Sequence, residues 1–327
     1  MNMYKTTFSF ILIFIAVMQA LGQKPKLVFS AHWMPQAQFA GYYAAKDQGY
    51  YEEAGIEVDI IHPSASVNAV EFLATGEADV ISLFLITAMQ VKHKGLDVVN
   101  IAQLSQHSAI MFVAKKDSGI ETIEDFDGKQ VGIWLSGFDE LPRAMMDKFA
   151  VEVEWVPLLS TVNLFLLGGI DVMTVMYYNE FNQIYLSGID REELNIFFAT
   201  DYGFNIPEDG LYTLRETAVN KKEELRAFVD ATLRGWAFAA KNKDYVLQLV
   251  IDIMRDNRIP SNKAHQSWML DKVLEMIDLD NKNLIPGKLH RDDFMQAFEI
   301  IRYQYDLDFQ LEYNEFFKPA LNLPQSN

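Results

Sequence analysis

The feature that most restricts this chain is an alternation running from Lys26 to Ala114, in which short apolar runs take turns with segments whose apolar residues recur at helical spacing. Leu27 to Ser30 reads as a strand and is followed by a helix that ends at Gly49. Glu57 to His62, Ala78 to Ser82 and Val98 to Leu104 read as further strands, separated by helices from Ser66 to Thr75 and from Thr87 to Lys94. Alternating β and α units with short connections pack as a parallel or mostly parallel sheet with helices on both faces. A chain of about 300 residues fills two such lobes of roughly 100 to 200 residues each. It contains no cysteine, so disulfides, thiolate metal sites and a cysteine nucleophile are all excluded, and the core alone must hold the fold.

The stretch from Ser30 to Glu57 carries the first candidate site. Pro35 suits the start of a helix, where its fixed φ is an advantage and its missing N–H costs nothing, and Gly49 suits the left-handed residue that stops one. Trp33 therefore sits at the C-terminal end of a first strand, where ligands bind in open α/β sheets. A core aromatic is the alternative, but the polar neighbours His32, Gln36 and Gln38 favour a ligand platform. Tyr43 in the following helix and Ser82 at the end of the third strand are counted with it. In Gly76-Glu77-Ala78-Asp79-Val80 the aspartate reads as structural, accepting local backbone N–H groups.

Residues 1–22 read as a secretory signal peptide, with Lys5 in front, an apolar core from Phe8 to Val17, and Ala20-Leu21-Gly22 as the exit before Gln23. The apolar run is short for a membrane span. The formal net charge is −17, with 28 basic against 45 acidic residues, which argues against nucleic acid or an anionic membrane surface as partner. It also disfavours an anionic ligand.

Further along, the polar loop Gln103 to Ser108 offers His107 at a strand end, either as a hydrogen-bonding partner or as a surface residue. Ile110 to Ala114 reads as a buried strand leading into a second lobe, 113–210, with lobe one made of 23–112 and 211–327. In that second lobe Gln130 to Ile133 is its next strand, and Trp134-Leu135-Ser136-Gly137-Phe138 mirrors the Trp33 loop, with Trp134 as an aromatic wall and Ser136 as a polar contact. An apolar strand from Ile170 to Met176 runs into Tyr177-Tyr178-Asn179-Glu180. Asp201 to Gly210 is a polar return to lobe one, and the chain from Leu211 onward reads as mostly helical: Lys221 to Lys241, Tyr245 to Arg255, Ser261 to Met276 and Arg291 to Tyr305. The stripe Leu225, Phe228, Val229, Leu233 and Trp236 is assigned to packing.

Several of these segments share a pattern. His32-Trp33-Met34-Pro35 through Gly41, then Gly49-Tyr50-Tyr51-Glu52-Glu53-Ala54-Gly55-Ile56, the Asp-Phe-x-Gly-Lys-x-x-Gly run from Asp125 to Gly132, and Tyr177 with Glu180 after a Gly-x-Asp strand resemble the type II periplasmic binding proteins that capture pyrimidine precursors of thiamine. Sulfonate binders and the eukaryotic thiamine-pyrimidine synthases are relatives of that family. The sequence departs from the family motif at His32, at Gln36 and at Phe39, which stands where the motif has His. The resemblance implies a two-lobed α/β type II periplasmic binding fold that closes on a ligand in the cleft between lobes. It implies an extracytoplasmic solute-binding protein that takes a formylaminopyrimidine- or hydroxymethylpyrimidine-type ligand and partners an ABC permease in the inner membrane. A sensory protein for a signalling partner and a sulfonate binder are the alternatives.

Trp33, Trp134 and Tyr177 would then supply stacking walls, and Glu180, His32 and His107 would supply selectivity. A carboxylate at 180 suits an exocyclic amine and repels a sulfonate. The synthases' cysteine-rich iron motif has no counterpart here, and Phe39 replaces the residue that donates in them, so neither catalysis nor a cofactor or metal is expected. N-terminal sequencing of protein recovered from the cell envelope should begin at Gln23; a chain still starting at Met1 would refute the leader.

Overall fold

The computed structural model describes residues 24–64, 67–135, 138–159, 161–305 and 307–323; the expected leader and Ser136 lie outside them. Ten strands form two sheets. β1 (Lys26–Ser30), β2 (Glu57–Ile61), β3 (Val80–Phe84), β4 (Val98–Gln103) and β10 (Asp209–Leu214) build the first, in the order β2-β1-β3-β10-β4. β5 (Ile110–Lys115), β6 (Gln130–Ile133), β7 (Glu154–Pro157), β8 (Val172–Met176) and β9 (Leu194–Phe198) build the second, in the order β7-β6-β8-β5-β9. This is a two-lobed periplasmic-binding-protein architecture, mixed sheets flanked by helices.

Each sheet has its odd strand where the chain has just arrived from the other lobe. β5, the first strand after the outward crossing, inserts antiparallel between β8 and β9. β10, the first strand after the return, inserts antiparallel between β3 and β4. Both crossings, 104–109 and 199–208, therefore end in the interior of a sheet and are fixed at that end.

Two sequence expectations change here. Residues 211–214, read as the start of a helical region, belong to β10, because Leu211 and Tyr212 are fully buried between two strands and their backbone groups pair with both. The outward crossing also precedes residue 113, since β5 begins at Ile110. The second helix begins at Ala69, where Asn68 caps it: its side chain accepts the Glu71 N–H at 3.0 Å while the Glu71 carboxylate accepts the Asn68 N–H at 3.0 Å; Ser66, its expected first residue, lies outside the described residues. Asp79 is structural, as read, accepting Val28 N–H at 2.9 Å and pairing with Lys221 at 2.6 Å.

The Ala40–Asp47 helix after Trp33 packs on the long C-terminal helix Lys222–Lys241 at very short range. A Cβ on Gly235 would stand 2.2 Å from the Gly41 carbonyl oxygen, and one on Gly41 would stand 2.1 Å from the buried Trp236 ring. The two glycines let the backbones touch, and Phe228, Thr232 and Trp236 close the contact with Tyr51, Tyr42 and Phe29. This clamp orients the loop that carries Trp33. No helix among the described residues is long and apolar enough to cross a membrane.

Gly235→Ala pushes a methyl into backbone that cannot yield, so it should cost roughly 1 to 3 kcal/mol or more. Denaturant titration checks this, and a variant as stable as the parent would mean that the two helices separate easily.

Candidate functional site

The cleft floor is built by strand ends of the first sheet. His32 follows β1, Ser82 lies in β3 and Asp209 opens β10. The His32 N–H donates to Ser82 Oγ at 3.0 Å, and His32 Nδ1 lies 2.8 Å from the same oxygen. Gln38 Nε2, which can only donate, lies 3.3 Å from His32 Nε2, so we assign the ring proton to Nδ1, where it donates to Ser82 Oγ, and Nε2 is left as an acceptor, 3.7 Å from Asp209 Oδ1. Phe39 and Phe84 meet the His32 ring edge-on at 5.3 Å each. Burial in that box pushes the His32 pKa down to about 3, so the ring is neutral and its contact with Asp209 is no ion pair. The motif position occupied by Phe39 thus supplies apolar packing to the histidine at 32.

Gln38 ties the floor to the second lobe. Its amide nitrogen donates to Asp209 Oδ2 at 3.1 Å and to Tyr178 Oη at 3.1 Å, while its oxygen accepts from Gln36 Nε2 at 2.8 Å. Of the adjacent tyrosines after β8, Tyr178 reaches the floor. Tyr177 turns to the other side, edge-on to Trp268 at 5.3 Å with the Lys272 ammonium over its ring at 5.2 Å.

The aromatic walls are distributed differently from the sequence expectation. Trp33 meets Phe138 of the second lobe edge-on at 6.0 Å, and Phe138 meets Phe84 at 5.0 Å. Trp134 packs with the second lobe's own core and donates its Nε1–H to the Thr174 carbonyl at 3.2 Å. Tyr43 lies behind the loop, its hydroxyl 3.0 Å from His62 Nε2, while His62 Nδ1 lies 2.7 Å from the Trp33 carbonyl. His107 stands on the outward crossing beside Asp278, 3.5 Å away and half exposed, apart from the floor.

The Glu180 carboxylate folds back onto the start of its own helix, where Oε2 accepts the Met176 N–H at 2.9 Å and Oε1 accepts from Asn179 Nδ2 at 2.7 Å. The Lys263–Ile277 helix then bridges the lobes on that side. Gln266 accepts the Ala37 N–H at 2.7 Å, His265 lies between Asn182 Oδ1 at 2.9 Å and Asn179 Oδ1 at 3.1 Å, and Trp268 donates to the Tyr177 carbonyl at 2.9 Å.

Sequence reading singled out none of Gln38, Phe138, Tyr178, Glu208, Asp209, His265 or Trp268 as site residues. Tyr178 sat beside the chosen Tyr177, and only side-chain direction separates the two; Phe138 lay in the loop after Trp134. Asp209 and Glu208 lay in a polar return with no spacing to mark them.

Three carboxyls, the buried Glu180 and Glu208 and the partly buried Asp209, all act on the Tyr178 hydroxyl. Desolvation dominates each, pushing Glu208 up to about 8 and Glu180 and Asp209 up to about 7. In the unfolded chain such groups ionise near pH 4. The native state therefore binds more protons than the unfolded state between those values, and the stability that protonation confers is lost as pH rises through about 7 to 8. Below about pH 6.5 the buried histidines, His32, His62 and His265, oppose this, since burial lowers their pKa values. The thermal midpoint should accordingly be higher near pH 6.5 than near pH 8.5, about the reverse of what acid-labile ion pairs would give. A flat or rising midpoint across that window would show that the carboxyls are ionised in the folded protein.

Relatives with this architecture are known. The riboflavin-binding protein RibY of Chloroflexus aurantiacus is 26% identical over 251 residues, covering 72% of this chain and 68% of that one. The formylaminopyrimidine-binding protein of Halalkalibacterium halodurans is 25% identical over 260 residues, covering 76% and 77%. Yeast 4-amino-5-hydroxymethyl-2-methylpyrimidine phosphate synthases match over only a third of the chain. Among solved structures, the periplasmic aliphatic sulphonate binding protein SsuA of Escherichia coli superposes with a TM-score of 0.69 over 90% of this chain and 98% of that one, at 13% identity, a likeness of fold. The family model described as NMT1/THI5 like matches residues 36–245, well over half of the sequence, and the chain belongs to that family.

Proposed function

We propose that this protein is an extracytoplasmic solute-binding protein that closes its two lobes on one small planar ligand bearing an amine, an aminopyrimidine precursor of thiamine, and delivers it to an ABC-type permease without chemical turnover. The observation that carries the ligand class is the electrostatic character of the cleft. Asp209, Glu208 and Glu180 all act electrostatically on Tyr178, and no lysine or arginine stands within ion-pair distance of any of them among the described residues. A sulfonate would meet buried carboxyls there with no cation to offset them. An aminopyrimidine presents an N–H donor to such a carboxyl, and one charge-assisted hydrogen bond contributes roughly 1.5 to 3 kcal/mol.

The name of the formylaminopyrimidine-binding relative supports the same class, and the import-system titles among the structural neighbours support the transport role. Trp33 and Phe138 offer aromatic surface from opposite lobes, as a ring ligand requires. His32, Gln36 and Ser82 line the floor beneath. Closure would be favoured by contacts made to both lobes at once, the hinge mechanism of such proteins.

Calorimetry of the purified protein against 4-amino-5-hydroxymethyl-2-methylpyrimidine, riboflavin and taurine tests the reading. The pyrimidine should bind with one site per chain, taurine should give no heat, and Trp33→Ala should weaken the pyrimidine about two- to tenfold through lost stacking. Tighter binding of riboflavin or taurine, or product accumulating on incubation, would overturn it.

A further inference from the structure

We propose that Asp209 is the carboxylate that accepts the ligand's amine N–H, and that Glu180 instead fixes the loop and helix start around the Tyr177–Tyr178 pair. The inference rests on the aminopyrimidine reading above and assigns its polarity to one residue. Glu180 has both oxygens engaged within its own turn, by the Met176 N–H and by Asn179, and the Asn179 amide is held in turn by Gln183 and His265. Glu208 is held at the hinge, its Oε1 bonded to the Ala109 N–H at 2.6 Å and the Ser108 hydroxyl at 3.0 Å, and its unpartnered Oε2 is fully buried, with the residue only 2% exposed.

Asp209 is the most exposed carboxyl of the three, and it has a weakly engaged oxygen. Oδ2 accepts from Gln38 at 3.1 Å, whereas Oδ1 is 3.5 Å from that same nitrogen and 3.7 Å from His32 Nε2, both beyond good hydrogen-bond length. Its side chain keeps 14% of its surface exposed, while His32 beside it keeps 6%. The enclosed space bordered by Asp209, Gln38, Tyr178, Tyr42 and Trp236 is about the size of one water, too small for the ligand ring, so the ligand would meet the carboxyl at its exposed edge. There it would find Oδ1 as an acceptor for the exocyclic amine, beside the His32 ring.

The test compares 4-amino-5-hydroxymethyl-2-methylpyrimidine with 5-hydroxymethyl-2-methylpyrimidine, which lacks the amine. Wild-type protein should prefer the amine-bearing probe. Asp209→Asn should lose roughly tenfold for that probe and little for the other, erasing the preference, whereas Glu180→Gln should keep the preference even if overall affinity drops. A folded Asp209→Asn protein that retains the preference overturns the assignment while leaving the aminopyrimidine reading intact. Wild-type protein that binds neither probe overturns both. If Asp209→Asn does not fold, the carboxyl carbon resonance of Asp209 in the labelled wild-type protein is followed instead: addition of the amine-bearing probe should move it toward the ionised position, and an unmoved resonance overturns the proposal.

Discussion

The two lobes are joined by a buried carboxyl. Glu208, on the return crossing, accepts the Ala109 N–H and the Ser108 hydroxyl of the outward crossing, and Asn205 accepts the Ser108 N–H beside it. The Asp209 carbonyl then takes the N–H groups of Leu104 and Ser105. These bonds zip two chain segments that run between the sheets, and each segment ends in a strand locked between two others. A short, paired connection of this kind allows rotation about its ends while resisting separation, which is the mechanical need of a hinge. Desolvation raises the Glu208 pKa to about 8, and its hydrogen bonds offset only part of that cost.

The same crossing positions the cleft. Because Glu208 is tied to the hinge, Asp209 must begin β10 beside β3 and β4, and its side chain emerges next to His32 and Gln38. Floor chemistry and hinge geometry are thus set by consecutive residues. The other lobe answers with Tyr178 and Phe138, and the Lys263–Ile277 helix binds both lobes through Gln266, His265 and Trp268. Polar groups bridging the seam at several points make the closed arrangement depend on good geometry, since each unsatisfied partner in a dry cleft would be costly.

Much of the architecture follows from local pattern. Apolar runs of strand length, helical spacing between them, Gly49 at a left-handed φ of 72° and the Pro35-containing approach to a helix are local properties, and they place Trp33 and His32 at a strand end without any knowledge of distant contacts. The stripe of Leu225, Phe228, Val229 and Trp236 likewise declares a buried helix face. β10 escaped this reading because its identity as a strand depends on β3 and β4, about a hundred residues upstream, which pair with both its edges.

What the sequence by itself determined is the two-lobed α/β frame, the electronegative character of the chain and the loop that presents Trp33. Only the tertiary structure decided which side chains meet. Tyr177 and Tyr178 are adjacent and chemically alike, yet the backbone sends one to Trp268 and the other to Gln38. Glu180 and Asp209 are both carboxylates in polar loops, yet one is turned into its own helix start and the other is left with a weakly engaged oxygen at the floor. The physical reason is that direction, burial and partner supply are set by packing between segments far apart in the chain, and residue type and spacing carry no record of them.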